Sequence, residues 1–253
     1  MAPPSNALRV LDNDVIRRFN PSMLDLGDIS LPSMEREALA AIYDLTGFTR
    51  FCNQVDAYLA IPQFLSEFLE WFFEGIRKRI TEKTVGNRSA LWAELPVKVK
   101  FLGDGLLILW NAHNMSDEVI CRLAVTLYDI CRAYRRDFYP SISMKVNKPP
   151  VRLRCGVARG KVFTVGNGND YVGHCINNAS RLSHLHSLSF GFPHRGFPVR
   201  ECLPPEILQI FAPKYVSVRG VGDNELVWVV KNEFEKLPEN EKLFFRDEDE
   251  NGG

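Results

Sequence analysis

The sequence contains no apolar run approaching the roughly 20 residues that a membrane-spanning helix needs. Its opening, MAPPSNALRVLDNDVIRRFN, lacks the basic-then-apolar pattern of a secretory signal. Charge of one sign is also missing: 31 lysines and arginines balance 31 aspartates and glutamates. A general affinity for nucleic acid or anionic membrane therefore has no electrostatic basis. The six cysteines (Cys52, Cys121, Cys131, Cys155, Cys175, Cys202) form no CxxC pair. They read as reduced core thiols rather than a zinc site or a disulfide frame. A cytoplasmic location is the expectation that follows. Glycine-rich phosphate motifs are absent too, with neither GxxxxGKS/T nor GxGxxG present. No internal repeat is visible.

What is present is one patterned block between two plainer ends. Residues 1–37 read as a proline-bearing N-terminal extension, with a weak helical stretch near Val15–Phe19. Residues 233–253 read as an acidic C-terminal tail. Within 38–232, Ala38–Tyr43 is a short apolar run that reads as a buried strand. From Ile61 to Ile80, apolar residues at Phe64, Phe68, Phe72 and Ile76 share one helical face. Pro62 sits where a first turn would tolerate it. Gly103-Asp104-Gly105 lies between VKVKFL and LLILW and signals a hairpin. Ser116, followed by Asp117 and Glu118, opens a second helix. VRLRCGVA reads as a strand with GKVFTV as its neighbour, Ile176–His186 as a helix, and VSVRG and ELVWVV as closing strands. The order predicts an α+β domain with helices on one side of a mixed or antiparallel sheet.

Two carboxylates stand where strands stop. Asp44 ends the first strand and Asp104 occupies the hairpin turn. If those strands are adjacent, both reach one rim, where paired carboxylates hold hard divalent cations and leave positions open for phosphate. Read singly, Asp44 is a loop cap and Asp104 an ordinary hairpin residue. Asn177 and Arg181 are four apart on a helix and share a face that suits phosphoryl oxygens, or else form a plain surface pair. Lys100 reads as a solvated strand residue, and Val165–Asp170 (VGNGND) as a turn. His184 and His186 fall on different helical faces, which argues against zinc.

Together these segments resemble the class III nucleotidyl cyclases. YDLTGFTRF (Tyr43–Phe51), KVKFLGDG (Lys98–Gly105) and NDYVGHCINNASRL (Asn169–Leu182) match that family's motifs in order. VRGVGDNELVWVV (Val218–Val230) resembles its closing hairpin. The resemblance implies a ferredoxin-like cyclase fold, with a central, mostly antiparallel sheet and helices packed on it. It implies that Asp44, Asp104 and the Leu45 carbonyl hold two Mn²⁺ or Mg²⁺ ions per active site. Gly47, Phe48 and Thr49 would meet phosphate, Asn177 would orient the ribose, and Arg181 would stabilise charge on the α-phosphate. A homodimer with shared sites is implied as well, and a nucleoside triphosphate is the implied substrate. Departures are His174 and Cys175, where the family often has Asp or Asn and Thr, and Arg219 in place of a lysine near the closing hairpin.

The family's base-reading positions fall at Lys100 and Asp170, a pair that marks adenylate cyclases. The run from Asp44 through CNQVDAYLAIPQFLSEFLEWFF to FLGDGLLILW instead resembles the pyrimidine cyclases of bacterial Pycsar antiphage systems. Those are short chains without a sensor or membrane domain, and their cyclic UMP or cyclic CMP switches on a separate effector. The pyrimidine reading is the expectation; adenylate cyclase and a non-catalytic cyclase-like dimer are its rivals. A diguanylate cyclase would carry GGDEF or GGEEF in the hairpin, which FLGDGLL does not fit.

Overall fold

The computed structural model describes residues 12–18 and 20–248. Phe19, the first eleven residues and the last five lie outside it, and with them part of both expected ends. The chain divides into two compact units. One comprises the described residues up to Glu35 together with Phe163–Val172; the other comprises Arg36–Val162 and the described residues from Gly173 onward.

The strands are β1 (Glu35–Thr46), β2 (Thr81–Val85), β3 (Arg88–Leu91), β4 (Lys98–Phe101), β5 (Gly105–Asn111) and β6 (Arg152–Val165). They continue with β7 (Asp170–Val172), β8 (Phe190–Pro193), β9 (Phe211–Val218), β10 (Gly222–Val230) and β11 (Phe245–Asp247). The helices are α1 (Asn13–Arg17), α2 (Phe48–Cys52), α3 (Ala57–Ile80), α4 (Asp117–Ala133), α5 (Tyr139–Ile142) and α6 (His174–Ser183). Four single turns follow: α7 (Val199–Cys202), α8 (Pro205–Leu208), α9 (Lys231–Phe234) and α10 (Glu239–Lys242). No described helix is long and apolar enough to cross a membrane.

The main sheet runs β11-β9-β10-β8-β6-β1-β5-β4, with β6 and β8 parallel and the other registered pairs antiparallel. This is the α+β architecture expected. Alternation along the strands sorts side chains to two faces. Leu39, Ala41, Tyr43 and Leu45 of β1 join Phe64, Phe68, Phe72 and Ile76 of α3 and Ile120, Leu123, Leu127 and Ile130 of α4 in one core. Tyr43 ties the layers: its ring meets Phe72 edge-on at 4.8 Å, and its hydroxyl donates to the Leu127 carbonyl at 3.0 Å. Each such burial contributes on the order of 2 kcal/mol.

Helices do not lie on one side alone. Val227 and Val229 of β10 and Val216 and Val218 of β9 form a second core with Leu182 of α6, while Trp228 and Val230 face the first. Gly156 is what lets α6 approach. A Cβ there would meet the Ala179 carbonyl at 2.1 Å and the Ser183 nitrogen at 2.2 Å.

Other departures have local causes. VRLRCGVA and GKVFTV are not two strands but the single β6, because Gly160 continues the extended chain instead of turning it. The helix expected over Ile61–Ile80 starts at Ala57, so Pro62 falls in its second turn and leaves the Tyr58 carbonyl without an intrahelical donor. The β2–β3 hairpin turns through Gly86, at φ 57°, and Asn87, a signal the apolar pattern hid. The helix expected to reach His186 stops at Ser183; His186 adopts φ 49° and stacks on Phe244 at 4.8 Å. Ser116 caps α4 by accepting from Val119 N–H, as expected. Residues 233–248, expected within a tail, supply α10 and the edge strand β11, which pairs with β9. In the smaller unit, Gly166 and Gly168 turn the chain from β6 into β7, and Thr164 exchanges hydrogen bonds with Met34.

Replacing Gly156 by alanine should force α6 outward and cost about 1–3 kcal/mol. Urea unfolding measures it; an unchanged midpoint would show the approach to be loose.

Candidate functional site

Asp44 and Asp104 come from adjacent strands. The β1–β5 register pairs Asp44 with Gly105, and the Leu45 N–H donates to the Asp104 carbonyl at 2.9 Å. Gly105 makes this possible, since a Cβ there would sit 2.0 Å from the Tyr43 carbonyl. The two carboxylate-bearing residues are thus backbone neighbours at one rim, as the sequence required.

Their environments differ. Asp44 is 8% exposed, whereas Asp104 is exposed and its side chain makes no hydrogen bond or ion pair among the described residues. Arg154 of β6 supplies the counter-charge that Asp44 needs. Its Nε donates to Asp44 Oδ2 at 3.2 Å, and its Nη2 lies 3.1 Å from the same oxygen. Arg154 Nη1 also donates to the His186 carbonyl at 3.0 Å. His184 Nε2 stands 3.5 Å from Asp44 Oδ1. Neither partner emerged as a site residue from the sequence. Arg154 shows only as a cation at a polar step of an alternating strand, between Leu153 and Cys155, and His184 as half of an HxH pair. The Cys52 thiol, just past the turn, is pushed up by burial and then by the Asp104 charge, so it lies within electrostatic reach of that carboxylate.

The turn after Asp44 has the conformation its glycine predicts. Gly47, at φ 90°, caps α2, which carries Phe48 and Thr49. Phe48 rests on Phe51 and Phe64 of the core, and Thr49 is exposed. Among the described residues, the buried polar side-chain atoms without a partner are Thr46 Oγ1 and both amide atoms of Gln54. All three belong to the segment around this turn. Leaving such atoms unpaired costs about 1–3 kcal/mol each, so this segment carries unmet polar capacity.

Asn177 and Arg181 lie one helical turn apart on α6, both exposed, with no side-chain hydrogen bond or ion pair among the described residues. Neither side chain is bonded to Asp44, whose partners are Arg154 and His184. Cys175, on the same helix, is inert core: its thiol donates to the Ala158 carbonyl at 3.1 Å, and burial pushes it up to about 12. Lys100 sits on edge strand β4 opposite Leu107. Asp170 belongs to β7, in the other compact unit, where its carboxylate accepts from Tyr171 N–H at 3.0 Å. Arg219 is exposed at the β9–β10 turn.

No protein-family model matches this chain, and no curated protein matches it. Solved structures do. The guanylyl cyclase Cya2 gives a TM-score of 0.58 at 16% identity, over 79% of this chain and 94% of that one. This is the nucleotide cyclase catalytic-domain fold. The guanylate cyclase domain of RhGC from Catenaria anguillulae, in complex with GTP, shares the cyclase fold at a TM-score of 0.50 and 16% identity, over 78% and 98% of the two chains. An adenylate/guanylate cyclase/hydrolase from Silicibacter pomeroyi gives 0.51 at 16%, over 79% and 98%.

The residues at the rim suit hard divalent cations. The donors are all oxygen: two carboxylates and the Leu45 carbonyl. One carboxylate is unpaired, and the unpartnered Thr46 hydroxyl lies two residues after the other in the chain. Arg154 has to share or yield Asp44 for an ion to bind there.

Replacing Arg154 by methionine strands the Asp44 charge in its buried setting and should cost about 2–4 kcal/mol. Adding Asp44→Asn should recover part of that loss. Unfolding midpoints of the two variants and the parent measure the pair; equal midpoints would show that it contributes nothing.

Proposed function

We propose that this chain is a nucleotidyl cyclase, converting a nucleoside triphosphate to a 3′,5′-cyclic monophosphate and pyrophosphate. The observation that carries the reading is the β1–β5 register, which makes Asp44 and Asp104 neighbours at one rim of a cyclase fold. In the reaction the ribose 3′-oxygen bonds to the α-phosphorus. The bond from that phosphorus to the bridging oxygen breaks, pyrophosphate leaves, and the hydroxyl proton passes to solvent. Two Mn²⁺ or Mg²⁺ ions held by Asp44, Asp104 and the Leu45 carbonyl would supply the Lewis acidity for attack and departure.

The remaining roles fall to the chain itself. The backbone N–H groups of Gly47, Phe48 and Thr49 bind phosphate oxygens. Arg154 holds Asp44 in one orientation from its free side. Asn177 orients the ribose, and Arg181 meets charge growing on the α-phosphate. Because Asn177 and Arg181 point outward and unpaired, they act on the site of a second copy, so the working form is a homodimer with shared sites. Arg219, at the closing hairpin, adds a phosphate contact.

For the base, we assign a pyrimidine, UTP first and CTP second, with Lys100 reading its edge and the product acting on an effector in cytoplasmic antiphage signalling. The resemblance of the Asp44–Trp110 run to Pycsar cyclases supports this. ATP is the second reading, supported by the Lys100/Asp170 pair.

Incubation with Mn²⁺ and each of ATP, GTP, CTP and UTP, with products identified by mass, tests activity and base together. Cyclic UMP is expected, and cyclic AMP alone would reverse the base assignment. Asp104→Ala should lower turnover by about a hundredfold or more; undiminished turnover removes the metal role. Mixed subunits carrying Asp44→Ala and Arg181→Ala should regain one working site per heterodimer. No recovery, with dimers intact, would break the shared-site model.

A further inference from the structure

A cavity of about 460 Å³ opens in the larger unit, beyond the C-terminal end of α4. Arg132, Arg135, Arg136, Arg152 and Lys236 line it, with Glu233 the one carboxylate among its walls. That is an excess of four positive charges in a chain whose formal net charge is zero. None of Asp44, Asp104, Asn177 or Arg181 contributes to it.

The cations are only partly neutralised from outside. Arg136 grips Asp137 with two bonds of 2.7 Å, and Arg132 stands 3.4 Å from Asp129. Arg152 donates to a neutral group, the Ser187 carbonyl, at 2.6 Å. Arg135 and Lys236 make no side-chain hydrogen bond or ion pair among the described residues. Glu233 is the one offsetting charge: its two oxygens accept from Ser189 N–H and the Ser189 hydroxyl at 2.7 and 2.6 Å, neutral donors that leave its charge in place. Arg135 and Lys236 therefore confront the concave space without a bonded carboxylate, beside Arg152, whose charge also reaches Glu241. Guanidinium forks match phosphate oxygens two at a time, and clustered arginines select phosphate over a lone carboxylate.

A second cavity of about 350 Å³ adjoins the first through shared Tyr128, Arg132 and Asn232. It carries Ile210 and Gln209 and is far less cationic. The two lobes have the size range of small-molecule sites. One lobe is strongly cationic; the other sets Lys231 and the shared Arg132 against Glu235 and carries a small positive excess.

From this geometry we infer that the cavity is a second, non-catalytic anion site that binds a di- or triphosphate group. The group comes either from inorganic polyphosphate or from a nucleotide whose nucleoside fills the Gln209–Ile210 lobe. The site does not depend on the cyclase reading, because its cations are complete without a divalent ion.

Calorimetric titration of the full chain in EDTA tests it, with pyrophosphate, tripolyphosphate, ATP and UTP as separate probes. Tripolyphosphate should bind the parent and Asp104→Asn alike. Arg135→Glu combined with Lys236→Glu should weaken binding by about tenfold or more, with thermal unfolding confirming that the variant is folded. Nucleotides binding more tightly than tripolyphosphate would identify a nucleotide as the occupant, and equal or weaker binding would identify the inorganic anion. Affinity untouched by the double reversal would overturn the proposal, as would binding lost in Asp104→Asn. Loss of binding in that variant alone would count against this cavity while leaving the cyclase reading standing.

Discussion

The antiparallel pairing of β1 with β5 is the constraint on which the rest of the structure depends. It brings residues 60 positions apart in the chain to backbone contact, and it does so where both strands end. Gly105 sets the closeness, since no side chain fits against the Tyr43 carbonyl. Tyr43, one residue before Asp44, is in turn fixed from the other face by Phe72 and the Leu127 carbonyl. The rim therefore inherits the rigidity of a two-layer aromatic and aliphatic core. Side chains on such a scaffold can be held to tolerances that loops alone do not reach.

Against that rigid centre, the polar groups divide by role. Asp44 is enclosed and paired, Asp104 is open and unpaired, and Asn177 and Arg181 are displayed on the outer face of α6. The internal cation that Asp44 meets is Arg154. Glycine at 156 lets α6 sit directly on β6, so the displayed face is carried by a helix seated on the sheet rather than by a free loop.

β1, the β4–β5 hairpin, the aromatic stripe of α3 and the Ser116 cap were legible in the sequence, because each rests on local periodicity or turn chemistry; the adjacency of the two aspartates was implied only by the family resemblance. Other features were hidden for physical reasons. The second face of the sheet escaped notice because small residues such as Gly156 and Ala158, not an apolar stripe, admit α6. Arg154 escaped because an arginine in an alternating strand looks solvated until the neighbouring strand places a carboxylate opposite it. β11 escaped because its single large apolar residue, Phe245, is flanked by charge.

The Arg154 guanidinium also bears on the order of assembly. A carboxylate enclosed at a strand end ordinarily obliges a chain to wait for an ion before it can close. Here the balancing charge is encoded two residues before Gly156 and arrives with the sheet itself. The polypeptide can therefore close this strand end with no ion in place.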